Sequence, residues 1–360
     1  MKRAYNFNAG PAALPEWVLR EAQEHILDFN HTGMSLMELS HRSKDYEAVH
    51  NEAKELLTSL LSIPDNYEIL FLQGGASLQF TMVPMNLLSE GKTAYYSLTG
   101  VWSEKALKEA TKIGKAEAIN SSKDTNFTYI PDPTSIEVPE DAAYLHITSN
   151  NTIYGTQWSQ FPTDLSVPLI ADMSSDILSK PIDVSQFGVI YAGAQKNLGP
   201  SGVTVVIIRK DLIKADSSLP TMLNYETHAK NNSLFNTPPT FGIYLLSLVL
   251  KWAKEQGGVE KIAAINSEKA KLLYDAIDES NGFYKGHAES DSRSHMNVTF
   301  TLQSEELTKS FLQEAKNAGF VGLNGHRSIG GCRASIYNAV PLENVAELAS
   351  FMKKFQLDNQ

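Results

Sequence analysis

"AGAQKNLGP" occupies residues 192–200 and sets Lys196 just behind the apolar run "VIYAGA". Gly199 and Pro200 rule out a long helix after it. A solvated loop lysine is the ordinary reading, since most of the 31 Lys and Arg of the chain are of that kind. Whether Lys196 differs depends on the strand that leads into it and on what surrounds that strand.

That strand is one of a series. "EILFL" (68–72) ends in Gly74-Gly75 and a helical "SLQFTMVPMNLL" follows. "TAYYSL" (93–98) precedes the helical "SEKALKEATKIG". "AYLHIT" (143–148), "PLIADMS" (168–174), "GVIYAG" (188–193) and "VTVVIIR" (203–209) complete the set. Short, nearly continuous apolar runs alternating with helices predict an α/β fold whose mostly parallel sheet is covered on both faces. Ligands of such sheets bind outside the carboxyl ends of the strands. Lys196, Asp172 and the Gly74-Gly75 turn all fall at such ends.

Upstream, the apolar spacing of "EWVLREAQEHILDF" (16–29) and "DYEAVHNEAKELLTSLLSI" (45–63) predicts two helices. From about residue 260 the pattern changes to a long helix, then strand, helix, strand and helix in "HMNVTFTL", "EELTKSFLQEAKNAG", "GGCRASIYN" and "LENVAELASFMKKF". That module reads as a small α+β domain. The expected division is a large domain over 16–258 and a small one joining 1–15 to 259–360. At 360 residues, such a pair of domains is the ordinary expectation.

Composition narrows the function. With 42% hydrophobic and 20% charged residues the chain is an ordinary globular protein. A net charge of -10 argues against general nucleic-acid binding, although a local cluster of arginines can still take a small anion. The single cysteine, Cys332, allows neither an intrachain disulfide nor a Cys-rich metal cage, and no metal site is expected. "MKRAYNFNAGPAALP" lacks the apolar core of a secretory signal, and no apolar run reaches the ~18 residues of a membrane span. A cytoplasmic location is the expectation.

The residues on the expected rim are each ambiguous alone. Asp172 in "LIADMSS" is partly buried by its neighbours, or it caps a helix. "LQGGASLQF" (72–80) offers backbone N–H groups and the Ser77 hydroxyl to a phosphate, or it is a glycine-rich turn. Trp102 is a stacking platform or a core aromatic. Thr152 and Gln195 are further polar candidates. His41 with Arg42, and His326 with Arg327 and Arg333, are anion ligands or surface salt-bridge partners. Arg333 stands out because it lies in an apolar strand after two glycines. Together these groups match pyridoxal phosphate, which needs a Schiff-base lysine, a carboxylate for its pyridine nitrogen, a phosphate cradle and a flat group over the ring. The basic clusters suit an amino acid with two anionic ends.

The segments "FNAGPAALPEWVL", "MSLMELSHRSKDY", "GGASLQF", "HITSNNTIYGTQW", "ADMSSD", "AQKNLGP", "FNTPPTFGIY" and "GHRSIGGCRASIYNAV" closely resemble the phosphoserine aminotransferase family, class-V aminotransferases of the aspartate-aminotransferase-like fold. They run in the family's order from residue 7 to 340. The resemblance implies a homodimer with active sites at its interface. It implies that Lys196 forms the Schiff base, Asp172 pairs with the pyridinium, Trp102 stacks on the ring and Thr152 contacts the ring oxygen. Ala76, Ser77 and Gln195 would hold the cofactor phosphate, completed by Asn236 and Thr237 of the neighbouring subunit. Arg333 would bind the substrate α-carboxylate, and His41, Arg42, His326 and Arg327 the distal anion. The implied reaction moves the amino group of L-glutamate to 3-phosphohydroxypyruvate, giving O-phospho-L-serine and 2-oxoglutarate in serine biosynthesis, with a related step of vitamin B6 synthesis as a second use. The rival readings are an aminotransferase of the alanine–glyoxylate type, a cysteine desulfurase and a non-catalytic anion binder. A desulfurase needs a mobile nucleophilic cysteine, which Cys332, set in a strand, does not suit.

Overall fold

The computed structural model describes residues 3–360. Its centre is a seven-stranded sheet of β1 (Tyr67–Leu72), β2 (Thr93–Leu98), β3 (Ala116–Ser121), β4 (Ala142–Thr148), β5 (Leu169–Asp172), β6 (Val189–Gly193) and β7 (Thr204–Arg209), in the spatial order β1-β7-β6-β5-β4-β2-β3. Only β7 runs antiparallel to its neighbours, so the other six strands end on one rim. The sheet is apolar on both faces because both are covered. Ile69, Phe71, Leu145, Ile147, Ala171 and Ile190 pack against helices α2 (Lys44–Leu61) and α5 (Thr240–Glu255). Their alternating neighbours Leu70, Leu72, Tyr144, Ile170 and Tyr191 pack against α3 (Gly75–Leu87) and α4 (Val101–Ala110).

Of the departures from the sequence expectation, two concern the first helix and the edge of this sheet. The first helix, α1 (Glu16–Glu24), ends five residues short of Phe29. The chain turns there through Asn30 and His31 at positive φ, which buries Phe29 against Tyr244 and leaves Leu27 84% exposed. Strand β3 had no counterpart in the sequence reading. It is an edge strand of the polar segment "AEAINS", with little burial to mark it.

A second core surrounds β8 (Tyr284–Gly286), β9 (Asn297–Leu302) and β10 (Cys332–Ser335), an antiparallel sheet in that order, with α7 (Glu305–Asn317) and α8 (Leu342–Asn359). The N-terminal arm joins it, since Tyr5–Asn6 pairs parallel with Phe320–Val321 and Phe7 is buried there. Helix α6 (Gly258–Asp278) connects the two cores: Val259 packs in the first, and Ala270, Leu273 and Ile277 in the second.

Candidate active site

A cavity of about 300 Å³ opens on the strand rim where β1, β4, β5 and β6 end. Lys196 enters it from a tight turn after β6, closed by the Leu198 and Gly199 N–H groups on the Ala194 carbonyl. The next residue anchors that turn. Asn197 donates to the Ile177 carbonyl at 2.7 Å and accepts from the Asn338 N–H at 2.9 Å. The N-terminal arm closes over it, with the Ala12 N–H on the Gln195 carbonyl at 2.9 Å. Lys196 is therefore held on both sides, and its Nζ donates to Thr152 Oγ1 at 2.7 Å, 5.5 Å from the Trp102 ring centre. Loss of water around the ammonium pulls its pKa down to about 8; the Asp172 charge opposes this and the Arg333 charge adds to it.

Asp172 is the last residue of β5 and is buried. Its Oδ1 accepts from the Ser174 N–H at 2.9 Å and the Ser174 hydroxyl at 2.6 Å. The carboxylate does cap a local turn, as a structural aspartate would, and it still lines the cavity with its other oxygen uncommitted. Burial raises its pKa, against the Ser174 hydrogen bonds and the Lys196 charge. Ser174 in turn accepts the Gly193 N–H at 3.1 Å, which ties the end of β6 to the aspartate.

The remaining walls fit pyridoxal phosphate. Gly74 and Gly75, at φ of +88° and +65°, turn the chain from β1 into α3, and Gly74 has no side chain to cap the helix. The first N–H groups of α3, at Gly75, Ala76 and Ser77, are thus left for an anion at the positive end of the helix dipole. Trp102, in the first turn of α4, lines the cavity, and its buried Nε1 has no hydrogen-bond partner. Thr148 Oγ1, at the end of β4, is likewise buried without one. Pyridoxal phosphate would find an anion site for its phosphate at the start of α3, an amine at Lys196 and a carboxylate oxygen at Asp172, all left open by the protein.

Arg333 approaches from the second core. Its side chain is largely removed from water, which lowers its pKa. Its Nη1 donates to the Thr152 carbonyl at 3.1 Å, while Nε is buried without a partner. Among the described residues no carboxylate pairs with it. A guanidinium held in this way is a site for an anion from outside the chain.

The chain matches the aminotransferase class-V family over residues 4–348. It belongs to that family. It is 69% identical to a phosphoserine aminotransferase of Geobacillus kaustophilus, over 99% of each chain. Its fold is similar to that of a phosphoserine aminotransferase from Bacillus circulans subsp. alkalophilus, with a TM-score of 0.99 and 58% identity over 100% of both chains. A pyridoxal-phosphate-bound phosphoserine aminotransferase from Trichomonas vaginalis matches with a TM-score of 0.92 and 40% identity, over 98% of this chain and 100% of that one.

In this class-V aminotransferase the structure brings Ala76, Ser77, Trp102, Asp172, Gln195 and Lys196 to one cavity, with Thr152 and Arg333 bonded into its edge. His326 and Arg327 do not line the cavity, but His326 feels it from nearby: burial and the charges of Arg333, Arg327 and Lys105 lower its pKa. His41, Arg42, Asn236 and Thr237 do not line the cavity. The nearest link is from Gln73, beside the glycine turn, whose amide lies 3.5 Å from the Thr237 carbonyl. Ser174 was not singled out from the sequence, although an Asp followed two residues later by Ser is a turn-capping pattern. Asn150 and Ser175 also line the cavity, and their partners lie too far along the chain for any local signal.

Proposed function

We propose that this class-V aminotransferase transfers the amino group of L-glutamate to 3-phosphohydroxypyruvate with pyridoxal phosphate as cofactor, forming O-phospho-L-serine and 2-oxoglutarate. The observation that carries the reading is the shared cavity of Lys196 and Asp172, a lysine with a depressed pKa and a buried carboxylate with a free oxygen. The full-length identity to phosphoserine aminotransferases selects the substrate pair.

When bound, pyridoxal phosphate supplies a carbonyl carbon for the amino group and a ring that takes up the electron pair left at Cα. The protein's own residues do the rest. Asp172 keeps a proton on the ring nitrogen, and Ser174 fixes the carboxylate that does so. Lys196, whose amine is partly neutral near pH 8, would take the proton from the substrate Cα and return it to the carbon that was the cofactor's carbonyl, across the amino nitrogen. Arg333 holds the α-carboxylate. His41, Arg42, His326 and Arg327 receive the distal group, which is a carboxylate in glutamate and a phosphate in the acceptor; an arginine fork hydrogen-bonds both. Asn236 and Thr237 would complete the cofactor phosphate site.

The reading includes a homodimer with the active site at its interface and a division into a large domain over 16–258 and a small one joining 1–15 to 259–360. His41, Arg42, Asn236 and Thr237 lie outside the cavity of their own chain, and apolar side chains close to them in sequence are exposed: Met34 at 44%, Met37 at 54% and Phe235 at 47%. Such a surface suits a second copy that brings these residues to the neighbouring cavity.

A steady-state assay of 2-oxoglutarate release tests the substrate choice. Turnover with glutamate should require 3-phosphohydroxypyruvate, with pyruvate and glyoxylate far poorer acceptors. Equal rates with pyruvate or glyoxylate would replace the reading with an aminotransferase for uncharged acceptors.

A further inference from the structure

Behind the cavity, between the two cores, lies a closed set of buried hydrogen bonds. Asn150 faces the cavity, and its amide nitrogen donates to Ser175 Oγ and to Asn297 Oδ1, both at 2.8 Å. Its oxygen accepts from Ser294 Oγ at 2.5 Å. Asn297, on β9 and fully buried, passes the pattern on: Nδ2 donates to Ser335 Oγ at 2.9 Å and Tyr337 Oη at 3.2 Å. Tyr337 then donates to the Ala9 carbonyl at 2.7 Å. No amide atom of either asparagine is left over. The direction of the bonds is fixed from both ends, because Ser175 Oγ and Tyr337 Oη give their hydrogens to the Asn150 and Ala9 carbonyls and so accept from the two amides.

The register of β9 with β10 gives this chain a consequence. Asn297 pairs with Ser335 and Thr299 with Arg333. With a strand period of two, all four side chains share one face, turned to the segment at 150–155. That segment meets three of them in turn, and Ser335 is held through Asn297. Asn150 bonds Asn297, the Thr152 carbonyl takes Arg333 at 3.1 Å, and the Ile153 carbonyl takes Thr299 Oγ1 at 3.3 Å. Contact is close enough that a Cβ on Gly155 would sit 2.8 Å from the Asn297 carbonyl. Thr152 is the residue that also holds Lys196.

We propose that Asn297 is a positioning residue, which through Asn150 and Ser335 fixes where Arg333 stands relative to Lys196 and so sets the enzyme's grip on the substrate α-carboxylate. The proposal rests on the assignment of Arg333 to that carboxylate. The Arg333 side chain has one hydrogen bond, while its backbone is fixed by the ladder to Thr299 and by the Leu323 carbonyl on its N–H, two residues from Ser335 on the same strand. Its placement is therefore governed by how the strand is pinned. Two-point recognition of a carboxylate loses strength with small displacements of the fork.

The test uses holoenzyme carrying Asn297→Ala or Ser335→Ala, each alone and in an Arg333→Lys background. Each alone should raise KM for glutamate about tenfold and change kcat less than about threefold, as expected for lost uniform binding. The visible band of the bound cofactor should keep its position. In the Arg333→Lys background the same changes should raise KM less than about twofold further, because the residue they position has already gone. A full second tenfold rise would overturn the proposal, as would a fall in kcat with KM unchanged. Ser335→Ala removes a single rung and decides the matter if Asn297→Ala does not fold. An unchanged KM in Arg333→Lys alone removes the carboxylate assignment and the proposal with it, whereas additivity removes only the positioning role.

Discussion

Lys196 and Arg333 converge on Thr152: Lys196 Nζ donates to its hydroxyl at 2.7 Å and Arg333 Nη1 to its carbonyl at 3.1 Å. One residue thus joins the lysine on the strand rim of the sheet to the arginine of the second core. The proximity of the two cations has an electrostatic consequence, since the Arg333 charge adds to burial in lowering the Lys196 pKa.

The lowered pKa makes cofactor capture pH-dependent. Only the neutral amine attacks a carbonyl, and its fraction grows with pH through a pKa of about 8 rather than the ordinary 10.5. The rate at which the ligand-free protein gains its visible band on mixing with pyridoxal phosphate should rise between about pH 7 and 9 and then level off. A rate still climbing in proportion to hydroxide at pH 10 would place Lys196 in an unperturbed setting.

Asp172 and Ser174 should separate by magnitude. Asp172→Asn removes the charge proposed to keep a proton on the ring nitrogen, and kcat should fall by roughly 10²–10³-fold. Ser174→Ala leaves the charge but removes the 2.6 Å bond that orients it, so a loss of about tenfold is expected. Steady-state kinetics of the two variants check the order; equal losses would mean that Ser174 does more than orient.

Cys332 should be inert in the folded enzyme. The thiol is fully buried in β10, and burial pushes its pKa up to about 12, so little thiolate exists at neutral pH. Iodoacetamide should leave transamination intact and label the protein only after denaturation. Rapid labelling of the native enzyme with loss of activity would reopen a cysteine-based chemistry.

Lys269 carries a stability prediction. It is fully buried on α6, and its Nζ donates to the carbonyls of Ile336, Tyr337 and Val340 at 2.9, 2.8 and 3.2 Å. Those carbonyls close the stretch that follows β10. Lys269→Met removes a costly buried cation but leaves three acceptors unpaired, and the latter effect should win by about 2 kcal/mol. The midpoint of urea unfolding should fall accordingly; an unchanged or higher midpoint would show that burying the ammonium costs more than its three bonds return.

The sheet and the heart of the site were legible because each relevant residue ends an apolar strand. Lys196 after "VIYAGA", Asp172 after "PLIA" and the Gly74-Gly75 turn after "EILFL" mark the rim by local pattern alone. Strand β3 was not legible, since an edge strand with polar alternation has no apolar run to detect. The end of α1 was missed because Ile26, Leu27 and Phe29 continue a helical spacing that the chain abandons for the contact of Phe29 with Tyr244, 215 residues away. The support of the site depends on pairs such as Asn150 with Asn297, 147 residues apart. Nothing local in either segment announces the other.

The decisive measurement for the proposed transamination is the visible absorbance of the purified holoenzyme, followed first with glutamate and then with 3-phosphohydroxypyruvate. Glutamate should bleach the band and the phosphorylated keto acid restore it, with 2-oxoglutarate and O-phospho-L-serine released in turn. A Lys196→Ala protein should not turn over. A band that glutamate leaves unchanged would contradict the amino donor, and a bleached band that 3-phosphohydroxypyruvate does not restore would contradict the acceptor.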